Sequence, residues 1–275
     1  MSGPSPYLAA AVQMTSTEDV AGNLARAGAL VARAVARGAR LVTLPENFAW
    51  LRLSGPDPAE DVDESRPGPI LAFGLEAAVR HGVWLLLGSV PERGGPDAGG
   101  RIYNTSVLVS PEGRVAAAYR KIHLFDVAIP GGAEVRESER FAPGSSPALV
   151  ETALGPLGLT VCYDLRFPEL YRALVARGAR LLCVPSAFTA HTGKDHWEVL
   201  LRARAIENQC YVVAAAQFGH HGQNRRSYGH ALIADPWGAV LACAPDREDV
   251  AVAEIDYARQ DELRAQLPCL AHRRL

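Results

Sequence analysis

The sequence predicts an α/β protein in which two packed sheets carry helices on their outer faces within a single domain. Three observations lead there. A helix, glycine, strand and proline phrase occurs twice; the short strand-like runs outnumber what one doubly wound sheet needs; and no low-complexity linker divides the 275 residues.

Leu8 to Val12 is an apolar run that reads as a buried strand, and Glu18 to Arg37 places Leu24, Leu30, Val31 and Val35 at helical spacing. Gly38 stops that helix and Leu41 to Leu44 forms the next strand, ended by Pro45. The stretch Ala34 to Pro45 resembles Ala173 to Pro185, so the chain reads as an internal duplication. Between the copies, Val83 to Val90, Tyr103 to Ser110 and Val115 to Tyr119 are strand-like, with glycine-rich turns between them. After the second copy come a helix near Asp195 to Asn208 and strands at Tyr211 to Ala216, Ala231 to Ala234, Val240 to Ala242 and Val250 to Ile255. Ser54 to Gly68 and Gly94 to Gly100 read as surface loops.

With 28 Lys plus Arg against 30 Asp plus Glu and 48% hydrophobic residues, the chain is neither disordered nor fibrous. It lacks the basic clusters of a nucleic-acid or anionic-membrane surface, and no segment has the roughly 18 uninterrupted apolar residues of a membrane helix. A small neutral or weakly anionic ligand fits better. The cysteines Cys162, Cys183, Cys210, Cys243 and Cys269 are odd in number and widely spaced, which speaks against a disulfide framework or a zinc finger and for the reducing cytoplasm. The histidines His220, His221 and His230 lie beside a glycine- and arginine-rich stretch, Gly222 to Arg226, that reads as an exposed loop; they show no metal-ligand spacing, and no metal is expected.

Cys162 follows the apolar run Leu157 to Val161 and precedes a helix, a strand-to-helix turn that exposes a thiol and favours its thiolate through helix N-terminal amides. Cys183, Cys210 and Cys243, inside apolar runs, read as structural. A thiol nucleophile needs a base and a group that stabilises the anion it creates. Glu46, just past a strand, is placed where burial would raise its pKa into the general-base range, and Lys121 follows the strand Val115 to Tyr119 in an apolar setting for a cation.

Leu44-Pro45-Glu46-Asn47, Tyr119 to Phe125 and Val161 to Glu169 resemble, in order, the three catalytic segments of the nitrilase superfamily of carbon-nitrogen hydrolases. The separations, 75 residues from Glu46 to Lys121 and 41 from Lys121 to Cys162, also resemble it, and the likeness runs from about Tyr7 to Arg274. The resemblance implies a four-layer α-β-β-α sandwich, one hydrolase domain over 1–275 with a core at about 7–256 and a C-terminal helix and tail at 257–275, and homodimers or larger homo-oligomers. It implies hydrolysis of a small linear amide with no cofactor. Cys162 then corresponds to the nucleophile, Glu46 to the general base and acid, Lys121 to the oxyanion-stabilising cation and Glu137 to a supporting glutamate, with Glu134 and Glu139 close by in sequence. The backbone N–H of Tyr163 is the expected second oxyanion donor.

His196 to Tyr211, Ala214 to Gln217 and Ser227 to His230 resemble the deaminated glutathione amidase branch, and the sister ω-amidase branch less, since that branch lacks the Ala216-Gln217 pair. Such a substrate has two carboxylates, so Arg166 and Arg202 are candidate partners for them, against a plain salt-bridge role. Phe188 and Thr189 are candidates to line the pocket through backbone groups. A metal hydrolase competes with this reading but would need an HExxH or His/carboxylate spacing that the sequence lacks, and a non-catalytic interaction protein would have no chemical need for base, cation and thiol together.

Overall fold

The structure is a computed structural model that describes residues 4–51, 57–128, 134–222 and 225–274. The first copy runs β1 (Tyr7–Met14), α1 (Val20–Ala36), β2 (Ala39–Thr43), α2 (Pro69–His81), β3 (Trp84–Glu92), β4 (Tyr103–Val109) and β5 (Val115–Arg120). Two short strands, β6 (Asp126–Ala128) and β7 (Glu134–Arg136), form a separate ribbon, and β8 (Ala148–Thr152) leads into the second copy. That copy runs β9 (Gly155–Leu159), α3 (Pro168–Ala176), β10 (Leu181–Cys183), α4 (Ala190–Asn208) and β11 (Tyr211–Ala214). It is followed by β12 (Ala216–His221), β13 (Arg225–Tyr228), β14 (Leu232–Ala234), β15 (Val240–Cys243), β16 (Asp249–Ile255) and α5 (Tyr257–Gln266).

The duplication is structural. β1, β2 and β3 pair in parallel as consecutive neighbours of the larger sheet, and β9, β10 and β11 do the same in the smaller. In both copies the turn from helix to strand is a glycine with positive φ, Gly38 at +88° and Gly178 at +110°, a region that residues with a Cβ enter only with strain. α1 starts on Asp19, whose carboxylate accepts from Gly22 N–H, and α2 and α3 start on Pro69 and Pro168, whose missing N–H would have no helical partner anyway.

Alternation along the strands explains the layers. Ala9 and Ala11 of β1 face the core between the sheets, with Leu157 and Leu159 of β9 and Leu181 of β10, while Ala10 and Val12 face α1 and α2 through Ala27, Val31, Ala34, Ile70 and Ala78. Both faces of β1 are covered, which is why its apolar run is continuous. On the far side, Leu170, Tyr171 and Leu174 of α3 and Trp197, Leu201 and Ala205 of α4 close the fourth layer. Each buried Leu-sized side chain contributes about 1.5–3 kcal/mol.

Four expectations are corrected. Tyr211 to Ala216 is not one strand: β11 ends in the smaller sheet and β12 begins in the larger, because the chain crosses between them at Ala215, whose carbonyl accepts from Ser186 N–H. His221 is fully buried at the end of β12, bonded to Ser16 O and Ser227 Oγ; Gln223 and Asn224 of the expected loop lie outside the described residues. Cys243 is exposed, because β15 is an edge strand. The expected surface loops are partly buried: Ala98 is packed, and Glu60 is buried because its carboxylate accepts the N–H groups of Ile70 and Leu71 at the start of α2, whereas Ser54 to Pro56 lie outside the described residues. Among the described residues no helix is long and apolar enough to cross a membrane.

Candidate active site

The chain leaves β2 through Pro45 and turns at once, with Asn47 at φ +58°. The turn is held on all sides: Asn47 N–H donates to Ser89 Oγ, Gln217 Nε2 donates to Glu46 O at 3.0 Å, and Ser16 Oγ donates to Phe48 O. Lys121 follows β5, its N–H on Asn104 O and its carbonyl taken by Gly144 N–H. Cys162 follows β9 in a one-turn 3-10 helix, its N–H donating to Pro185 O and its φ at +47°. A left-handed Cys stores about 1–2 kcal/mol of strain, and fully buried Asp164 holds it there. One Asp164 oxygen accepts from Val161 N–H and Tyr119 OH, and the other meets the N–H and Nδ1 of His123. The Cys162 turn is thereby tied to the segment that carries Lys121.

These strand ends converge. Lys121 Nζ lies 2.9 Å from Glu46 Oε1 and 2.8 and 3.0 Å from the two oxygens of Glu137. Glu46 Oε2 accepts from Ala187 N–H at 2.9 Å, and the Cys162 thiol faces the Glu46 carboxylate closely enough to interact with it electrostatically. Glu137 also accepts from Phe125 N–H at 2.7 Å. Of the neighbouring acids, Glu134 is exposed and paired with Arg136, and Glu139 is exposed. Glu46, Lys121 and Cys162 are respectively 4%, 2% and 8% exposed, so their charges interact with little screening.

The electrostatics correct two expectations. Burial opposes ionisation of Glu46, but the Lys121 ammonium, with hydrogen bonds from Lys121 and Ala187 and the facing Cys162 thiol, outweighs it and holds the carboxyl below its ordinary range. Cys162 is driven the other way: burial and the facing Glu46 carboxylate push the thiol well up against the opposing pull of Lys121. It is therefore a buried neutral thiol rather than an exposed thiolate. Lys121, despite desolvation, is held charged by Glu137 and Glu46. The resting cluster is a carboxylate beside a protonated thiol, the arrangement in which a base takes the proton as the sulfur attacks.

Tyr163 is the second residue of the 3-10 turn, where a helix leaves N–H groups without an internal partner. The Arg166 guanidinium lies 5.0 Å from the Phe188 ring centroid and 5.9 Å from that of Tyr163, with Nη1 3.3 Å from His196 Nδ1. Phe188 follows the strand end that supplies Pro185 and Ala187, but its ring packs on Trp197 and its carbonyl is taken by Tyr228 N–H, so that backbone group is already committed. Thr189 precedes α4, its hydroxyl on Thr192. Arg202 pairs with Glu198 and donates to Gly238 O, and neither partner belongs to the cluster. Among the described residues no group of three or more His, Cys, Asp or Glu is arranged to hold a metal ion.

Sequence reasoning left Asn104, Asp164 and Ala187 without a role. Asn104 gave no distinct signal, because Thr105, Ser106 and Ser110 share the strand-like run Tyr103 to Ser110; its Nδ2 lies 3.0 Å from Glu46 Oε1 and 3.1 Å from Glu137 Oε1. Ala187 acts through its main chain, which leaves no mark on residue type.

The chain belongs to the carbon-nitrogen hydrolase family, whose sequence model matches residues 8–265. It is 47% identical over 277 residues to the deaminated glutathione amidase of Synechocystis, covering 98% of each chain, and 47% identical over 271 residues to that of Homo sapiens, covering 97% of this chain and 82% of the relative. Among solved structures, Nit3 of Saccharomyces cerevisiae, described as a member of branch 10 of the nitrilase superfamily, superposes with a TM-score of 0.84 at 31% identity over 96% of this chain and 95% of that one. The Caenorhabditis elegans NitFhit protein gives 0.85 at 40% identity; the match covers 99% of this chain, which spans 66% of that longer one.

Proposed function

We propose that the protein is an amidase that hydrolyses deaminated glutathione to 2-oxoglutarate and cysteinylglycine through a thioester on Cys162. One observation carries the chemistry: a buried thiol, a buried carboxylate at Glu46 and a buried ammonium at Lys121 that lies 2.9 Å from that carboxylate meet at one place. The full-length likeness to deaminated glutathione amidases carries the substrate.

Glu46 takes the thiol proton while Cys162 sulfur bonds to the amide carbon, and the carbonyl electron pair moves to oxygen. Tyr163 N–H and the Lys121 ammonium stabilise that oxyanion; an oriented donor of this kind contributes about 2.7–4 kcal/mol. Lys121 holds Glu137 through two contacts, so one can pass to the oxyanion while the ammonium keeps both carboxylates as partners. The C–N bond breaks as Glu46 protonates the leaving amine of cysteinylglycine. Glu46 then takes a proton from water, the hydroxyl adds to the thioester, and the proton returns to sulfur as 2-oxoglutarate leaves. Arg166, next to the nucleophile turn, is the cation we assign to a substrate carboxylate.

In this reading the 275 residues form one hydrolase domain that works without a cofactor in the cytoplasm, where five unpaired cysteines are stable. It works as a homodimer joined across the outer face of α4. Val199 and Ile206 of α4 are exposed there; Gly238 packs against Ile206, and exposed Trp237, Val240 and Leu241 belong to the same hairpin.

The test is kcat/KM for deaminated glutathione and for 2-oxoglutaramate, following 2-oxoglutarate release. A preference of tenfold or more for deaminated glutathione, about 1.4 kcal/mol of transition-state discrimination, is expected. The reverse preference would move the protein to ω-amidase chemistry with the same machinery.

A further inference from the structure

We infer that Asn104 is a positioning residue for the base, holding the Glu46 carboxylate ionised and aimed at Cys162. This rests on Glu46 being the base in the reading above. A single atom does the work: Asn104 Nδ2 has two hydrogens, and it lies 3.0 Å from Glu46 Oε1 and 3.1 Å from Glu137 Oε1. Those are the oxygens that Lys121 Nζ approaches at 2.9 and 3.0 Å from its own position. Two carboxylates therefore share one ammonium and one amide NH2, in a closed ring of four atoms.

The charged and titratable groups facing Glu46 are Lys121 from the end of β5, Glu137 from the turn after β7 and Cys162 from the end of β9. Asn104 on β4 and Ala187 after β10 are the neutral donors. Without Asn104, the Oε1 atoms of Glu46 and Glu137 would have Lys121 as their one shared donor, and repulsion between the carboxylates would favour a proton on the pair. A donor to the charged form lowers a carboxyl's pKa, so the amide keeps the base free at the pH where it is needed. The amide's orientation follows from charge, because a flipped Asn104 would set its oxygen against two carboxylate oxygens.

A second observation separates this role from space-filling. Asn104 is 3% exposed, and its Oδ1 is buried with no hydrogen-bond partner among the described residues. A buried acceptor left unmade destabilises the fold, and a position needed only for packing would be better served by an apolar side chain. The donor half of the amide is what the site uses.

The experiment compares wild type, Asn104→Leu and Asn104→Asp in two pH profiles from pH 3 to 9. One is the rate of iodoacetamide alkylation of Cys162, read on its own peptide by mass spectrometry; the other is kcat and KM for deaminated glutathione. In Asn104→Leu the acidic limb of both profiles is expected to move up by about one pH unit, with kcat down by up to about tenfold at the foot of that limb and KM within about twofold of wild type. Asn104→Asp, equal in size, sets a third carboxylate beside the pair and should move the limb further. Acidic limbs that coincide with wild type in the folded variants, or a loss carried by KM alone, would overturn the inference. If Asn104→Leu does not fold, the isosteric Asn104→Asp decides alone. Alkylation needs no substrate, so a wild type inert toward deaminated glutathione would sink the substrate reading while the Cys162 profile still decides for or against Asn104.

Discussion

In the first copy of the repeated unit, the chain leaving β1 carries Ser16 and the chain leaving β2 carries Glu46; in the second, the chain leaving β9 carries Cys162 and the chain leaving β10 carries Pro185, Ser186 and Ala187. The two pairs of parallel strands occupy corresponding places in their sheets, yet the reactive side chain sits on the second strand of one copy and the first strand of the other. The remaining strand end in each copy becomes support. Ser16 holds the Glu46 turn through Phe48 O and Gln217, while Pro185 O takes Cys162 N–H and Ala187 N–H binds Glu46 Oε2. Duplication thus supplied four strand ends aimed at one place, and the crossing of roles puts base and nucleophile on different sheets, each braced by the other strand end of its own copy, with Ala187 N–H reaching across to Glu46.

The comparison predicts unequal losses. Cys162→Ala, on the reactive end of the second copy, should reduce turnover at least about 10^4-fold with an unchanged circular dichroism spectrum and melting curve; residual activity above the blank would break the assignment. Glu46→Gln keeps the shape and the acceptor for Ala187 N–H but removes the base, and kcat should fall by about 10^2- to 10^4-fold. Lys121→Met leaves two buried carboxylates without their cation and should destabilise the fold by about 3–5 kcal/mol in urea unfolding, a loss that neither of the first two variants shows.

The supporting ends should be milder. Ala187 acts through its N–H, so Ala187→Gly should change kcat/KM by less than about threefold and stability by about 0.5–1 kcal/mol. Ser16→Ala should lose about 1 kcal/mol of stability. A loss at Ala187→Gly as large as that at Glu46→Gln would mean that the side chain, not the main chain, matters on that strand end.

A further effect expected is one of pH. His221 rests on Ser16 O and Ser227 Oγ, and burial pushes its pKa down to about 4 from the usual 6.5. The unfolded chain binds this proton more readily, so stability should fall as pH drops from 6.5 towards 4. Glu46, held below its ordinary range, contributes stability that is present above the unfolded-state carboxyl pKa and lost as pH falls through its folded value. His221→Gln, measured by urea titration at pH 7 and pH 5, should narrow the difference between the two; an unchanged difference would remove His221 from the account.

Much of this was legible in the sequence, and the reasons differ by element. Gly38 and Gly178 mark both helix-to-strand turns because only glycine takes their positive φ freely, so the duplication shows in residue type. Glu46, Lys121 and Cys162 are polar residues at the ends of apolar runs, a contrast that composition makes visible. The exchange of sheets at Ala215 was hidden, because Tyr211 to Ala216 is uniformly apolar and residue type does not say which sheet a strand joins. The pKa directions were hidden too. Burial alone would raise Glu46, and the result turns on Lys121 and Ala187, partners 75 and 141 residues away.

The central claim, that Cys162 carries the acyl group with Glu46 as its base, is tested most directly by rapid acid quench of the enzyme mixed with deaminated glutathione, followed by mass spectrometry of the Cys162 peptide. The account predicts a 2-oxoglutaryl adduct on Cys162, formed with a burst of up to one cysteinylglycine per active site and missing from both Cys162→Ala and Glu46→Gln. Steady turnover with no adduct, or an adduct that forms at the wild-type rate in Glu46→Gln, would contradict it.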